Sequence, residues 1–208
     1  MLVKSSIEEF NRILGSSSPA PGGGSVAALS GALGASLVSM VCNLSIGKEE
    51  YETFENLLKE SLEKAQSLSN SLLERVDLDT EAFNGVMAAF KMPKETEEDK
   101  SARRDAIQEG FKKAVRSPLG IAVECLEVLK LAEKLIGKFN TNAISDLGVG
   151  AQQAHAGLEG AVMNVRINLP SIKDEKFVAE TNLKVVALLE EGGAIRSKVY
   201  TYVQENIG

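Results

Sequence analysis

The chain has 208 residues, of which 44% are apolar, 25% charged and 5% aromatic. A chain of this length and composition can bury a sizeable core, which excludes a disordered protein. Its formal net charge of −6 argues against a nucleic-acid-binding surface. Cys42 and Cys125 stand alone and His155 is the sole histidine, so neither a disulfide framework nor a metal site is predicted. The sequence opens on a helix pattern rather than on a signal peptide, and we expect a cytoplasmic protein.

Apolar residues recur every three or four positions along most of the chain, and no alternating run predicts a strand. We therefore expect an all-α fold and a single domain over residues 1–208. In it, long and short helices form a multihelical array around a buried central helix. The first helix is predicted from Ser6 to Leu14, and a loop rich in serine, proline and glycine then leads to Gly24.

The central helix is predicted from Ser25 to Ser45, because no charged residue stands between Arg12 and Lys48. This segment is long enough to cross a bilayer. Its composition, however, favours Ser, Gly and Ala over Leu, Ile and Phe, and aromatic residues do not flank it on both sides. A helix of this kind without a polar face belongs at the centre of a helical bundle, so we expect no membrane contact.

The rest of the chain is also predicted to be helical, with proline, glycine and capping residues marking the breaks. The predicted segments are an amphipathic stretch from Glu49 to Phe90, a helix capped by Thr96 that ends near Arg116, a helix from Ser117-Pro118 to Gly137, a helix that opens at residues 140–142 and ends at Leu169, and a last helix capped by Asp174.

The loop before the central helix contains Gly22, Gly23 and Gly24, followed by Ser25. Three consecutive glycines cost backbone entropy, so something near them requires close approach or a positive φ. The free N–H groups of a helix N-terminus also form a ready site for a carboxylate or a phosphate. The motif is therefore either an anion-binding loop or a tight packing turn, and its spacing does not match a P-loop.

Asp79 falls on the apolar seam of the long amphipathic stretch, between Val76 and Phe83, if the helical period continues through it. A carboxylate is rarely buried without a partner, and a buried carboxyl with a raised pKa suits general acid–base chemistry. The alternative is a helix break at this point, in which Asp77 or Asp79 caps a new helix.

One stripe of the helix after Asn142 combines glycines with polar residues: Asp146, Gly150, Gln153, Gly157, Gly160, Asn164 and Asn168. A surface stripe would carry Lys and Glu, and a core stripe would carry Leu and Val. Hydrogen-bonding groups around a bare backbone suit a flat polar heterocycle, so we expect a ligand groove here. The alternative is the crossing of another glycine-rich helix.

Two cations stand out by their position, namely Lys48 at the mouth of the uncharged helix and Arg166 among the asparagines. His155 has no Ser, Cys or Asp in a triad-like register, so we interpret it as a polar helix residue rather than a catalytic one.

Taken together, these motifs resemble the cyclodeaminase/cyclohydrolase family. That family includes the cyclodeaminase domain of formiminotransferase-cyclodeaminase and free-standing methenyltetrahydrofolate cyclohydrolases. The resemblance covers essentially the whole chain, and its motifs occur in matching order. They are residues 19–28, Gly47-Lys48 with Tyr51, Asp79 with Ala82-Phe83, residues 142–147 and residues 164–169.

The resemblance implies a helical homodimer that acts on a tetrahydrofolate one-carbon adduct, with no metal and no further cofactor. It implies that Asp79 or Asp146 stabilises the cationic carbon and moves a proton, while the other accepts hydrogen bonds from the pterin. The resemblance further suggests pterin or amidine contacts from Asn142, Asn164 and Asn168. The glycine loop, Gly22, Gly23, Gly24 and Ser25, would hold the glutamate-tail carboxylate together with Lys48.

The motifs leave the choice between a cyclodeaminase and a cyclohydrolase open, as well as the division of roles between the two aspartates. Two other classes of protein compete with the enzyme. One is a catalytically silent dimer that binds a folate or another anion. The other is a structural helical protein whose glycines serve packing alone.

Overall fold

The structure is a computed structural model that describes residues 1–207. It contains six α-helices and, over these residues, no β-strand, so the all-α prediction is confirmed. The helices are α1 (Ile7–Leu14), α2 (Gly23–Asn43), α3 (Glu55–Phe90), α4 (Glu97–Leu135), α5 (Ile144–Asn168) and α6 (Glu175–Asn206). Short 3-10 helices cover Leu2–Lys4, Glu49–Phe54, Thr141–Ala143 and Leu169–Ser171.

The uncharged helix α2 lies at the centre of the array and packs against α3, α4 and α5, while α6 packs against α4 and α5. Within residues 1–207, α2 alone is long and apolar enough to cross a membrane, and 61% of its most apolar stretch is buried inside the protein. Its buried side chains, among them Ala28, Ala35 and Val38, join one hydrophobic core to which α3–α6 also contribute. The prediction of a buried central helix is therefore confirmed.

Glycines allow α2 and α5 to approach each other closely. A Cβ atom on Gly34 would lie 2.7 Å from the carbonyl oxygen of Gly150, and one on Gly157 would lie 2.7 Å from the carbonyl oxygen of Ala27. Only glycine fits at these contacts, because a methyl group there would overlap the backbone of the neighbouring helix. The expected ligand groove is thus wrong at Gly150 and Gly157, where α2 itself covers the glycine stripe of α5.

The predicted helix boundary at Ser117-Pro118 is also wrong, because α4 continues through both residues. Proline has no N–H, so the carbonyl of Ala114 loses its helical hydrogen bond. The Asn168 side-chain amide, from the end of α5, donates to this carbonyl at 3.4 Å. Tertiary packing therefore supplies a partner for the carbonyl that the proline leaves free. The end of α4 follows the prediction more closely, since Gly137 has a φ of +71° just after it.

The chain runs in opposite directions along α2 and α5, so each end of this helix pair combines the start of one helix with the end of the other. At one end, a Cβ on Gly23 would lie 3.2 Å from Nδ2 of Asn164. At the opposite end, the backbone N–H of Asn140 donates to Oγ of Ser45 at 2.8 Å, just after α2 and before α5. We call them the glycine end (Gly22–Ser25, Asp79, Asn164, Asn168) and the lysine end (Lys48, Asn142, Asp146).

Candidate active site

A cavity of about 300 Å³ opens at the glycine end, between the second half of α3, the middle of α4 and the end of α5. Three of the predicted site residues, Asp79, Asn164 and Asn168, line it. The other lining residues are mostly apolar or aromatic: Ala82, Phe83, Val86, Met87, Phe90, Phe111 and Ala114. Ligand sites typically combine such walls with a few converging polar groups.

A larger groove of about 720 Å³ also lies between α3 and α4. Its lining includes Arg75, Glu81, Glu109 and Lys113, and none of the residues that the sequence singled out for a site. The cavity at the glycine end is therefore the better candidate, since predicted residues from α3 and α5 converge there.

Asp79 projects from α3 against the first turn of α2. A Cβ on Gly24 would overlap the carboxylate of Asp79, so the absence of a side chain at Gly24 makes room for that carboxylate. The third glycine of the loop thus has a specific steric purpose. It lets a carboxylate lie beside the positive end of a helix, where the free N–H groups and the helix dipole favour negative charge.

The helix break considered at Asp77 and Asp79 is wrong, since α3 runs without interruption from Glu55 to Phe90. Asp77 instead accepts a hydrogen bond of 2.6 Å from the backbone N–H of Leu2 and so holds the N-terminal segment. Asp79 lies on the inner face as the seam predicts and is partly buried. Over residues 1–207 no side chain or backbone group donates a hydrogen bond to it, and burial raises the pKa of its carboxyl.

The two asparagines of α5 reach the cavity one helical turn apart. Nδ2 of Asn164 donates to the carbonyl of Gly160 at 2.8 Å, and Nδ2 of Asn168 donates to the carbonyl of Asn164 at 2.9 Å. These bonds hold the side chains against their own helix; they use one N–H of Asn164 and, with the bond to the carbonyl of Ala114, both N–H groups of Asn168. Each Oδ1 atom remains available as a hydrogen-bond acceptor for a ligand with N–H groups.

The aromatic wall of the cavity was not identified from the sequence. Phe83 and Phe90 lie on the apolar seam of α3, where the pattern predicts core residues, yet they are 41% and 45% exposed. Phe90 packs edge-on against Phe111 with 6.0 Å between the ring centroids. Periodicity predicts that both side chains lie on the inner face of α3. It does not show that this part of α3 is not covered by α2.

The glycine loop contributes to the site mainly by its shape. The hydroxyl of Ser25 is fully buried and donates to the carbonyl of Val76 at 2.8 Å, so it ties α2 to α3. Asp79 already places a carboxylate beside the N-terminus of α2. A second carboxylate bound at Gly22, Gly23 and Gly24 would be repelled by it. The geometry therefore favours a loop that accommodates Asp79 over the predicted anion site.

The remaining predicted residues, Lys48, Asn142 and Asp146, lie at the lysine end. Lys48 and Asn142 are exposed and Asp146 is half-buried. About 27 Å separates Asp146 from Asn164 along α5, at roughly 1.5 Å per residue. Within one chain, α2 and α5 thus hold Lys48 away from the glycine loop and Asp146 away from Asp79, so one chain does not bring these predicted site residues together.

His155 lies away from both ends, in the middle of α5. Its Nδ1 atom is 3.6 Å from a carboxylate oxygen of Glu159. Burial lowers the pKa of His155, although Glu159 opposes the shift. Its interpretation as a polar helix residue is consistent with these contacts. Within residues 1–207 no cluster of three His, Cys, Asp or Glu side chains is arranged to hold a metal ion.

The site can therefore accommodate a flat, partly polar molecule. Aromatic and aliphatic side chains would cover its faces, two amide oxygens would accept hydrogen bonds at its edge, and one carboxylate would lie beside a cationic centre. A partly buried carboxyl with a raised pKa is also suited to accept and return a proton.

Comparison with known proteins agrees with this geometry. Residues 6–187 match the family described as formiminotransferase-cyclodeaminase. The chain is 45% identical to the methenyltetrahydrofolate cyclohydrolase of Methylorubrum extorquens over 97% of both chains. It is 40% identical to the formimidoyltransferase-cyclodeaminase of Gallus gallus, matching over 91% of this chain and 35% of that one. The chain thus spans about a third of the length of that bifunctional relative.

A solved structure shares the fold. The crystal structure of formiminotetrahydrofolate cyclodeaminase from Thermotoga maritima matches with a TM-score of 0.82 and 29% sequence identity, covering 99% of this chain and 97% of that one. The match of the family over most of the sequence, the full-length relative and the shared helical fold agree. This chain belongs to the formiminotransferase-cyclodeaminase family.

Proposed function

We propose that this chain is an enzyme of folate one-carbon metabolism that hydrolyses 5,10-methenyltetrahydrofolate at the carbon bridging N5 and N10. The observation that carries the proposal is the partly buried Asp79 carboxylate, which lies between the first turn of α2 and the aromatic cavity. Support for the hydrolytic reaction comes from the full-length relative with that activity in its name, at 45% identity.

In this reaction the bridging carbon is an electrophilic amidinium centre. The oxygen of water bonds to it and loses a proton, which gives a tetrahedral intermediate. One of the two C–N bonds then breaks, and its electron pair returns to nitrogen, which takes up a proton. The hydroxyl group of the intermediate loses its proton to solvent and becomes the carbonyl of the formyl group, which remains on the other nitrogen. No resident cofactor is needed, because the positive charge of the substrate already activates the carbon.

Asp79 has two roles in the proposal. Its carboxylate stabilises the cationic substrate, because opposite charges attract strongly in a site that excludes most water. It also accepts the proton of the attacking water and returns one to the departing nitrogen. The raised pKa brings the carboxyl closer to the pKa of the groups with which it exchanges protons.

The other residues of the glycine end bind and orient the folate. Oδ1 of Asn164 and of Asn168 accept hydrogen bonds from the N–H edge of the pterin. Phe83 and Phe90 cover the faces of the ring systems. Gly23 and Gly24 allow the substrate and Asp79 to approach the first turn of α2, where a side chain would fill the space.

Cyclodeamination of formiminotetrahydrofolate is the second candidate reaction, and the likeness to the Thermotoga maritima enzyme favours it. There N10 attacks the formimino carbon on N5, and ammonia leaves from the tetrahedral centre. Both reactions pass through the same kind of intermediate, so the same carboxylate would serve either one.

The deciding experiment follows the loss of the near-ultraviolet absorbance of methenyltetrahydrofolate and, in parallel, ammonia release from formiminotetrahydrofolate. We expect faster turnover of the methenyl compound, abolished by Asp79→Asn. Faster ammonia release would assign the chain as a cyclodeaminase. Absence of both activities, with folate binding retained in a thermal shift, would indicate the catalytically silent alternative.

The proposal also includes a cytoplasmic homodimer. Exposed apolar side chains on α2 and α5 support the dimer.

A further inference from the structure

The side-chain amide of Asn168 is held by the carbonyls of two different helices. Its Nδ2 atom donates to the carbonyl of Asn164, within α5, at 2.9 Å and to the carbonyl of Ala114, on α4, at 3.4 Å. Both N–H groups of this amide are therefore used. The amide of Asn164 differs, because within residues 1–207 its Nδ2 atom donates only to the carbonyl of Gly160, which leaves one N–H free.

The two bonds give the Asn168 amide a single orientation. If the amide turned over, Oδ1 would face the carbonyl oxygens of Ala114 and Asn164, and an acceptor would meet an acceptor at both. Asn168 and Ala114 both line the cavity at the glycine end. Oδ1 is thus the polar atom that Asn168 offers to a ligand there, and the residue acts as an acceptor only.

The bond between the two helices depends on Pro118. In a continuous helix the carbonyl of Ala114 accepts a hydrogen bond from the N–H four residues later, but the residue at that position is a proline, which has no N–H. The pyrrolidine ring also clashes with this carbonyl in a straight helix. Ala114 is buried, so its carbonyl needs a partner within the protein, and Asn168 supplies one.

The bond from Asn168 is not needed to join α4 to the end of α5. Nε2 of Gln108 donates to the carbonyl of Ser171 at 3.0 Å, and the backbone N–H of Lys173 donates to Oε1 of Gln108 at 2.8 Å. These two bonds already tie α4 to the segment that follows α5. The bond from Asn168 therefore has a local effect, which is to fix the group that faces the cavity.

We propose that Pro118 is a positioning residue of the folate site, which acts by making Asn168 an acceptor-only group toward the substrate. This inference rests on the folate activity proposed above. The pterin presents N–H groups along one edge, and an amide oxygen that is already fixed binds them without the entropy cost of ordering a free side chain. A ligand with an acceptor at this place would leave Oδ1 without a partner, which weakens binding.

The first test removes the proline. Pro118→Ala restores an N–H at this position, which bonds to the carbonyl of Ala114 in place of the Asn168 amide. The KM for methenyltetrahydrofolate should rise by about tenfold, the effect of one oriented hydrogen bond, with little change in kcat. The midpoint of denaturant unfolding should stay the same or rise, because α4 gains a helical hydrogen bond. An unchanged KM would overturn the proposal.

Two further variants control this test. Pro118→Val supplies the same N–H with a larger side chain, so KM should rise here as well. Pro93→Ala replaces the exposed proline between α3 and α4 and should leave KM unchanged. A KM that rises for Pro118→Ala but not for Pro118→Val would assign the effect to lost packing and overturn the proposal.

The second test asks whether Pro118 acts through Asn168. Asn168→Ala should raise KM by about tenfold. Adding Pro118→Ala to it should raise KM no further, because the side chain to be oriented is already absent. Two effects that multiply to about a hundredfold would show that Pro118 acts independently of Asn168, and the proposal would fail.

The third test does not depend on turnover. In isotope-labelled protein followed by NMR, the side-chain amide signals of Asn168 are identified by their absence from the spectrum of Asn168→Ala. Their hydrogens should exchange slowly with water in the wild type and faster in Pro118→Ala, which frees one N–H. Equal exchange rates in the two proteins would overturn the proposal.

These outcomes also separate this inference from the folate proposal. A wild-type protein without turnover in either assay would reject the folate activity, and the exchange rates of the Asn168 amide would still decide the role of Pro118. A wild-type enzyme that turns over folate, together with a Pro118→Ala variant of unchanged KM, would retain the folate function and reject the positioning role.

Discussion

The glycine end and the lysine end of the α2–α5 pair are built from similar residues, yet a single chain gives them different environments. At the glycine end, α3 and α4 extend past the end of α5 and enclose a cavity around Asp79. At the lysine end, Asp146 and Lys48 face an open surface. The comparison shows that the elements around an acidic residue change its proton affinity, because burial raises the pKa of Asp79.

The largest effect is expected at the enclosed carboxylate. Asp79→Asn keeps the shape of the side chain but removes the base and the negative charge, so kcat should fall by about 10²- to 10⁴-fold. Asp77→Ala is the matched control two residues away. It loses the hydrogen bond to Leu2 and some stability, but not activity. The rate of methenyltetrahydrofolate turnover is measured for both variants. An active Asp79→Asn enzyme would show that the reaction does not depend on the carboxylate at the glycine end.

A smaller effect on substrate binding is expected at the open end. The resemblance suggests that Lys48 binds the glutamate tail of the folate. Lys48→Ala should therefore raise KM by about tenfold with little change in kcat, which is the effect of losing uniform binding. Lys64→Ala, an exposed lysine of α3, provides the control. A tenfold loss of kcat with unchanged KM would instead place Lys48 at the reacting carbon.

Substitutions at the crossing of α2 and α5, which holds both ends in place, should change the stability of the protein. Gly34→Ala puts a methyl group 2.7 Å from the carbonyl oxygen of Gly150. We expect a loss of about 1–3 kcal/mol in the free energy of unfolding, as for other overpacked sites. Gly193→Ala, on α6, meets no atom within 4 Å and should stabilise the helix. Denaturant unfolding compares them, and equal stabilities would contradict the close helix contact.

The smallest effect concerns pH. Because burial raises the pKa of Asp79 in the folded protein, its ionised form destabilises the fold at neutral pH. Asp79→Asn should therefore increase the melting temperature at pH 7. The gain should disappear as the pH falls below about 3.9, the ordinary pKa of an aspartate, where both states of the wild type are protonated. A melting temperature that decreases at pH 7 would indicate that the carboxylate stabilises α2.

Local patterns predicted most of the helices. Thr96 and Asp174 cap helices as the sequence indicates, because a capping side chain bonds to backbone within three residues. Pro118 misled the prediction, since a proline usually begins or breaks a helix. Asn168 bonds to the carbonyl that this proline leaves free, and a partner 54 positions away cannot be identified from local sequence.

The site was predicted only in part for a related reason. The helical period placed Asp79 on the inner face of α3, and that placement is confirmed. The glycine stripe of α5 admitted two interpretations, a ligand or another helix. The close contact of Gly157 with the backbone of Ala27 shows that the second interpretation, another helix, is correct at this position. Periodicity gives the direction of a side chain, but it does not identify the atoms that it meets.

The sequence by itself determined the all-α class, the buried uncharged helix, the seam position of Asp79 and the family to which the chain belongs. These features follow from composition, from spacing along one helix and from motifs that are contiguous in sequence. Only the tertiary structure decided that Gly24 makes room for Asp79, that Asn164 and Asn168 join the same cavity, and that Asp146 and Lys48 lie at the far end. Those relations depend on how α2, α3 and α5 cross, and the crossing is fixed by glycines that bring two backbones into contact.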